Sequence, residues 1–129
     1  MYQKLIILGN LGRDPELRYT PQGSPVATLS VATNRKRKND DDITTWFRVT
    51  VWGSQAEACN EYLSKGRQVL IEGELTPDPA TGAPRIWTRS DGTPGASFEV
   101  KAHIVRFLQG GRQEQQETEP EPAQEELPF

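Results

Sequence analysis

Between Ser54 and Lys65 the residues Ala56, Cys59, Tyr62 and Leu63 recur at helical spacing, and this one segment breaks a chain that otherwise looks like short strands. Strand-like runs cover Tyr2 to Leu11, Leu17 to Thr20, Pro25 to Asn34, Thr44 to Trp52, Gln68 to Leu75, Ile86 to Arg89 and Ala96 to Phe107, with turn residues between them. Ser54 and Glu57 stand at the spacing of a capping box, and Gly66 suits the position after a helix end, so the pattern predicts one helix over residues 54–65. Pro21-Gln22-Gly23-Ser24 supplies a fixed negative φ and then a permissive residue, which predicts a hairpin turn joining the second and third runs.

Three β runs, one helix and then two longer β runs is the element order of an OB-fold, a five-stranded Greek-key barrel with its helix between strands three and four. Periodicity alone also fits another small α+β domain. The expected class is all-β with one helix, carrying a long β-hairpin excursion from Thr76 to Gly95, where Pro77, Pro79, Gly82, Pro84, Gly92, Pro94 and Gly95 make a poor core segment. At 129 residues there is material for one core.

From about residue 109 the apolar pattern stops, and Gly110-Gly111 leads into Gln, Glu, Pro and Thr with no aliphatic side chain larger than Ala until Leu127. Such a composition does not offset the entropy of ordering, so the expected organisation is a folded domain over 1–108 and a disordered tail over 109–129. Charge divides in the same way. Residues 1–112 hold all 15 Lys and Arg against 12 acids, or +3, whereas 113–129 hold six Glu and no base, or -6. A single cysteine, Cys59, excludes an internal disulfide and a CxxC zinc site and fits a reducing compartment. The longest apolar run, Leu5-Ile6-Ile7-Leu8, is far short of the roughly 20 residues that span a membrane, so a cytoplasmic protein is expected.

The segment Thr45-Trp46-Phe47-Arg48-Val49-Thr50-Val51-Trp52 carries the most chemical information. Alternation places Phe47, Val49 and Val51 toward a core, and Trp46, Arg48, Thr50 and Trp52 on the opposite face. Two indoles with an Arg between them suit a platform on which unpaired bases stack while the guanidinium meets phosphate; packing under a loop or in a subunit interface is the plainer explanation. Arg85, Trp87 and Arg89 repeat the pattern inside the excursion, where an edge strand kept soluble by its charges is the alternative. Arg35-Lys36-Arg37-Lys38 forms a basic arm able to follow a phosphate backbone, or simply a solvated loop partly neutralised by Asp40-Asp41-Asp42. His103 is the only histidine and Cys59 sits on the helix face expected to be buried, so no catalytic set, cofactor motif or metal site is expected and the chain does not read as an enzyme. Glu125-Glu126-Leu127-Pro128-Phe129 joins two acids to an apolar tip, the pattern of a short linear peptide that docks a partner protein, with an incidental C-terminus as the alternative.

Taken together, these residues resemble a bacterial single-stranded DNA-binding protein of the homotetrameric OB-fold type. The likeness covers roughly residues 2–76 and 87–108, through Leu8-Gly9-Asn10-Leu11-Gly12-Arg13-Asp14-Pro15-Glu16, Arg18-Tyr19, Val31-Ala32-Thr33, Trp46-Phe47-Arg48-Val49, Glu61-Tyr62-Leu63-Ser64-Lys65-Gly66, the run Val69 to Leu75, and the acidic tip. The resemblance implies stacking roles for Trp46, Trp52 and Trp87. A further aromatic that family members often carry is replaced by Arg37, and the segment Thr76 to Arg85 is longer than usual. It also implies a homotetramer, a nucleoid-associated location, wrapping of single strands with little sequence preference, and recruitment of replication, recombination and repair proteins by the tip, where Glu125 and Glu126 stand for the usual aspartates. The rival expectations are a primosomal or recombination accessory protein that binds single strands only within an assembly, and an OB adaptor whose Trp face takes protein or oligosaccharide.

Overall fold

The computed structural model describes residues 1–38 and 41–108. The expected disorder of 109–129, the tip Glu125 to Phe129, and Asp40 lie outside the described residues. Eight strands and one helix follow in the order β1 (Leu5–Leu11), β2 (Glu16–Tyr19), β3 (Pro25–Arg35), β4 (Ile43–Trp52), α1 (Ser54–Tyr62), β5 (Gln68–Leu75), β6 (Ile86–Thr88), β7 (Pro94–Ala96) and β8 (Phe98–Leu108).

One sheet runs β1-β5-β8-β4-β3-β2, and a further pairing of β1 with β3 closes its first five strands into a barrel. β1 pairs with β5 from Leu5↔Gly73 to Asn10↔Gln68, and its last residues also reach β3 at Asn10↔Ala32 and Leu11↔Val31. Gly9 makes this crossing possible, since a Cβ there would collide with the backbone carbonyl of Ala32. Closure pairs both edges of every barrel strand, leaving open edges on β2 and on the β6–β7 ribbon. β4 and β8 pair in parallel, from Phe47↔Phe98 to Thr50↔Lys101, while the other pairings are antiparallel. This is the OB-fold barrel the element order predicts.

The barrel interior holds Ile7, Leu11, Leu29, Val31, Val49, Val51, Val69, Ile71 and Val100, closed at one end by Ala56, Cys59 and Leu63 from α1 and its exit. Val49 and Val51 are fully buried as alternation requires. Phe47, expected in the core, is only half-buried at the barrel mouth, where its ring lies 5.8 Å from that of the exposed Phe98. The turn at Pro21–Ser24 is present, with the Gly23 N–H donating to the Thr20 carbonyl at 2.8 Å and Gly23 at φ 91°.

Three local expectations are corrected. The helix starts from Gly53 and not from a Ser54 capping box: Gly53 at φ 75° turns the chain straight out of β4, its carbonyl accepts from Ala56 N–H at 2.9 Å, and no side chain caps the first turn. Ser54 is thereby displaced into the helix, and Glu57 instead accepts from the Tyr19 hydroxyl at 3.4 Å. The helix also ends at Tyr62, because Leu63 turns extended and buries its side chain, which leaves Gly66 at φ 93° in the following turn. Finally, the run Ala96 to Phe107 is two strands. Ala96 pairs with Ile86 in the β6–β7 ribbon, whereas Phe98 pairs with Phe47 in the barrel, and Ser97 is the junction.

Candidate functional site

Alternation in β4 and its pairings assemble one continuous outer surface. Trp46, Arg48, Thr50 and Trp52 lie opposite Ala32, Ser30, Thr28 and Val26 on β3, so Trp46 and Arg48 stand beside small groups and Trp52 beside a valine. On the other side Arg48 neighbours Glu99 and Thr50 neighbours Lys101. Trp46 is 51% exposed and Trp52 46%, values that fit rings held along one side and open on another.

The ribbon supplies the third indole. Residues 76–96 leave the barrel after the Thr76 N–H donates to the Glu99 carbonyl at 2.8 Å, and a first turn at Asp78 is tied by bonds from Gly82 N–H at 2.8 Å and from Ala80 N–H to the Asp78 carboxylate at 2.9 Å. The far turn is tied by Asp91, which accepts from the Thr93 hydroxyl at 2.7 Å and the Thr93 N–H at 3.0 Å. Those two bonds hold the Asp91 carboxyl below its usual range. Between the turns, Trp87 comes back over the outer face of β4 and is 41% exposed.

Two grooves result. One, of about 420 Å³, is lined by Gly12, Arg13, Trp46, Phe47, Arg48 and Trp87 among others. The second, of about 490 Å³, is lined by Arg18, Arg48, Trp52, Arg85, Trp87 and Lys101 among others. They share Arg48 and Trp87 and so adjoin across these two side chains, a trough in two halves with Trp46 in one, Trp52 in the other, and basic side chains along its walls. Glu16 and Glu99 are the acids lining it. The polar wall is cross-linked by Arg18, which donates to the Thr28 hydroxyl at 3.2 Å.

Of the residues singled out in the sequence, Trp46, Trp52, Trp87, Arg48 and Arg85 are brought together here. Arg89 is on the ribbon but does not line either groove; its guanidinium donates to the Pro94 carbonyl and, at 3.4 Å, to the Thr93 hydroxyl. Arg35, Lys36, Arg37 and Lys38 also lie apart. Arg35 pairs with Ile43, three residues beyond the Ala32↔Trp46 pair and so about 10 Å along the hairpin. Arg37 donates to the Asp41 carbonyl at 3.5 Å. The sequence reading missed Arg13, Arg18 and Lys101 as wall residues, and Gly12 and Gly95 against the rings. The β2–β3 and β4–β8 registers, once known, would have found Arg18 and Lys101; a lone glycine gives no such signal.

Among the described residues no group of three or more His, Cys, Asp or Glu side chains is arranged to hold a metal ion, and no helix is long and apolar enough to cross a membrane. Cys59 is fully buried, and burial pushes its thiol up to about 11.

The single-strand binding protein family model matches residues 2–108, the barrel and its ribbon together. The chain belongs to that family. Its curated relatives include single-stranded DNA-binding proteins of Thermotoga maritima, 42% identical over 83% of this chain and 74% of that protein, and of Wolinella succinogenes, 39% identical over 84% of this chain and 65% of that protein. A third, from Xanthomonas campestris pv. campestris, is 40% identical over 86% of this chain and 62% of that protein. The matched region thus spans a little under two thirds of the second and third relatives' own lengths.

Proposed function

We propose that this chain binds single-stranded DNA with little sequence preference, without catalysing a reaction, and that the trough between Trp46 and Trp52 is where it does so. The observation that carries this is the sharing of Arg48 and Trp87 by two adjoining grooves, which gathers three indoles and several basic side chains on one face. Unpaired bases offer a π-face to each indole whatever their identity, and phosphates between them meet the bases of the walls. A duplex hides those faces in its own stack. The folded domain over 1–108 is the binding unit in this proposal, and the names of the relatives support the nucleic acid chosen.

The same proposal extends to assembly and partners. Outer residues of β1 leave Ile6 60% and Leu8 37% exposed, and their cross-strand neighbours on β5 are Glu72 and Leu70. An apolar strip on a sheet face, rimmed by the Lys4–Glu72 ion pair at 3.0 Å, supports self-association into the homotetramer that the family resemblance implies. The acidic tip Glu125-Glu126-Leu127-Pro128-Phe129 is proposed to dock replication, recombination and repair proteins.

Tryptophan fluorescence during titration with oligo-dT, at two salt concentrations and with duplex of equal length as control, tests the binding reading. Strong quenching by the single strand alone, with affinity falling by a log–log slope of about -0.7 per phosphate contacted, is the expected result. Absence of quenching under every condition would overturn it. Light scattering on the eluting protein, with Ile6→Glu as the comparison, tests the tetramer.

A further inference from the structure

Four glycines of the described chain have no room for a Cβ, and they fall into two kinds. At Gly9 and Gly73 the obstacle is backbone, the Ala32 and Lys101 carbonyls, so these glycines let barrel strands approach. At Gly12 and Gly95 the obstacle is an indole of the trough. A Cβ on Gly12 would fall 2.5 Å from Cη2 and closer still to Cζ3 of Trp46, with Cε3 at 3.7 Å. A Cβ on Gly95 would fall 2.9 Å from Cε2 and 3.0 Å from Nε1 of Trp87, and 3.1 Å from Cζ of Arg89.

We propose that Gly12 and Gly95 are positioning residues for nucleic-acid binding, each serving as the seat that holds one stacking indole in place and acting on binding through that indole. This rests on the reading of the trough as a single-strand site. At Gly12 the near atoms are the outer edge of the six-membered ring, and the larger distance to Cε3 means the glycine meets the ring's edge and not its face. Both faces of Trp46 are thereby left to other partners, one of them a base. Gly95 is buried while its strand neighbours Pro94 and Ala96 are exposed, so what covers it is the Trp87 ring and the Arg89 guanidinium laid across it. Arg89 in turn is anchored on the Pro94 carbonyl, which fixes the second side of the seat. Neither glycine has a positive φ, so alanine is acceptable to the backbone at both positions, and the atoms nearest to its methyl are those of the aromatic ring and, at Gly95, of the guanidinium beside it.

Two double-mutant cycles on the full chain test the proposal, one with Gly12→Ala and Trp46→Ala, the other with Gly95→Ala and Trp87→Ala, each read by oligo-dT affinity. Removing a stacking aromatic is expected to weaken binding by about 5- to 150-fold. Each alanine seat variant should weaken binding by a sizeable part of its own indole's loss, shift the tryptophan emission of the free protein in the Gly12 case, and add nothing once the indole is gone. Full affinity in both seat variants, or losses that add fully to the tryptophan losses, would overturn the seats while leaving the stacking reading standing. Unchanged affinity in Trp46→Ala and Trp87→Ala would instead strike down the stacking reading and the seats with it. Should Gly12→Ala disturb the barrel, seen as a lowered melting temperature, the Gly95 cycle decides, since the ribbon lies outside the core.

Discussion

Trp52 faces Val26 across the β3–β4 pair, and Val26 is only 3% exposed although it lies on the outer surface of the barrel and outside the core cluster. On its other side Val26 pairs with Arg18 of β2, so an indole and a long basic side chain stand over it from the two flanking strands. Trp46 has no such duty, because its partner Ala32 has little apolar surface to hide. The two indoles of β4 are therefore predicted to separate on mutation. Trp52→Ala should lose roughly 1 kcal/mol of stability, part of the value of burying a valine, together with about 1–3 kcal/mol of single-strand affinity. Trp46→Ala should lose affinity in the same range with an unchanged urea midpoint. Chemical denaturation beside fluorescence titration separates the effects.

Arg48 lies in both grooves and neighbours Glu99 in the parallel pairing of β4 with β8. A cation in the middle of the trough contributes to every register of a bound strand. Arg48→Ala is expected to weaken oligo-dT binding and to reduce the log–log salt slope by about 0.7, the signature of one lost phosphate contact. Glu99→Gln should act in the other direction, tightening binding at low salt and converging with the unchanged protein as ionic strength screens the difference. A salt titration of the three proteins makes the comparison.

How far the sequence carries can be judged from particular residues. β5 was legible to both ends, Gln68 to Leu75, because a β-rich apolar run sat between turn residues at each side. The outer face of β4 was legible because its side chains alternate, and with it Trp46, Arg48 and Trp52. Arg89 was not. Alternation put it beside Arg85 and Trp87, yet β6 stops at Thr88 and the next residue turns to the Pro94 carbonyl. The start of α1 misled for a local reason, since Gly53 at φ 75° outcompetes a serine for the capping position when the chain must leave a strand at once. Barrel closure between β1 and β3 joins residues some twenty apart through backbone alone, and the approach of Trp87 to β4 is a tertiary event; neither leaves a period in the sequence.

β8 carries an extra residue against β5, since Glu72 pairs with Ile104 but Gly73 pairs with Ala102, leaving His103 unmatched. Gln55, in the first turn of α1, bonds to β8 on both sides of Ile104. Its amide donates to the His103 carbonyl at 3.0 Å and accepts from the Val105 N–H at 2.9 Å. One side chain thus continues the ladder where β4 has run out and ties the helix to the barrel. Gln55→Ala leaves the partly buried Val105 N–H without its acceptor, and a loss of about 1–3 kcal/mol in urea unfolding is expected. Single-strand affinity should be unchanged, because Gln55 does not line the trough.

Cys59 provides a test of packing that needs no mutation. Its side chain is enclosed by the core, and burial, by disfavouring the charged thiolate, raises the thiol to about 11 from an ordinary value of 9.0. Two outcomes follow. A thiol-specific reagent at pH 8 should label the native protein slowly, at a rate set by opening of the barrel end, and label the urea-unfolded protein at once. Stability should also fall as pH rises from about 9 toward 11, since the unfolded chain releases the proton in that window while the native chain keeps it; the slope for this one group approaches about 1.4 kcal/mol per pH unit. Cys59→Ala should remove that slope and lower the neutral-pH stability slightly, through the small cavity left beneath α1. Rapid native labelling would mean that the end of the barrel closed by Ala56, Cys59 and Leu63 opens far more readily than its packing implies.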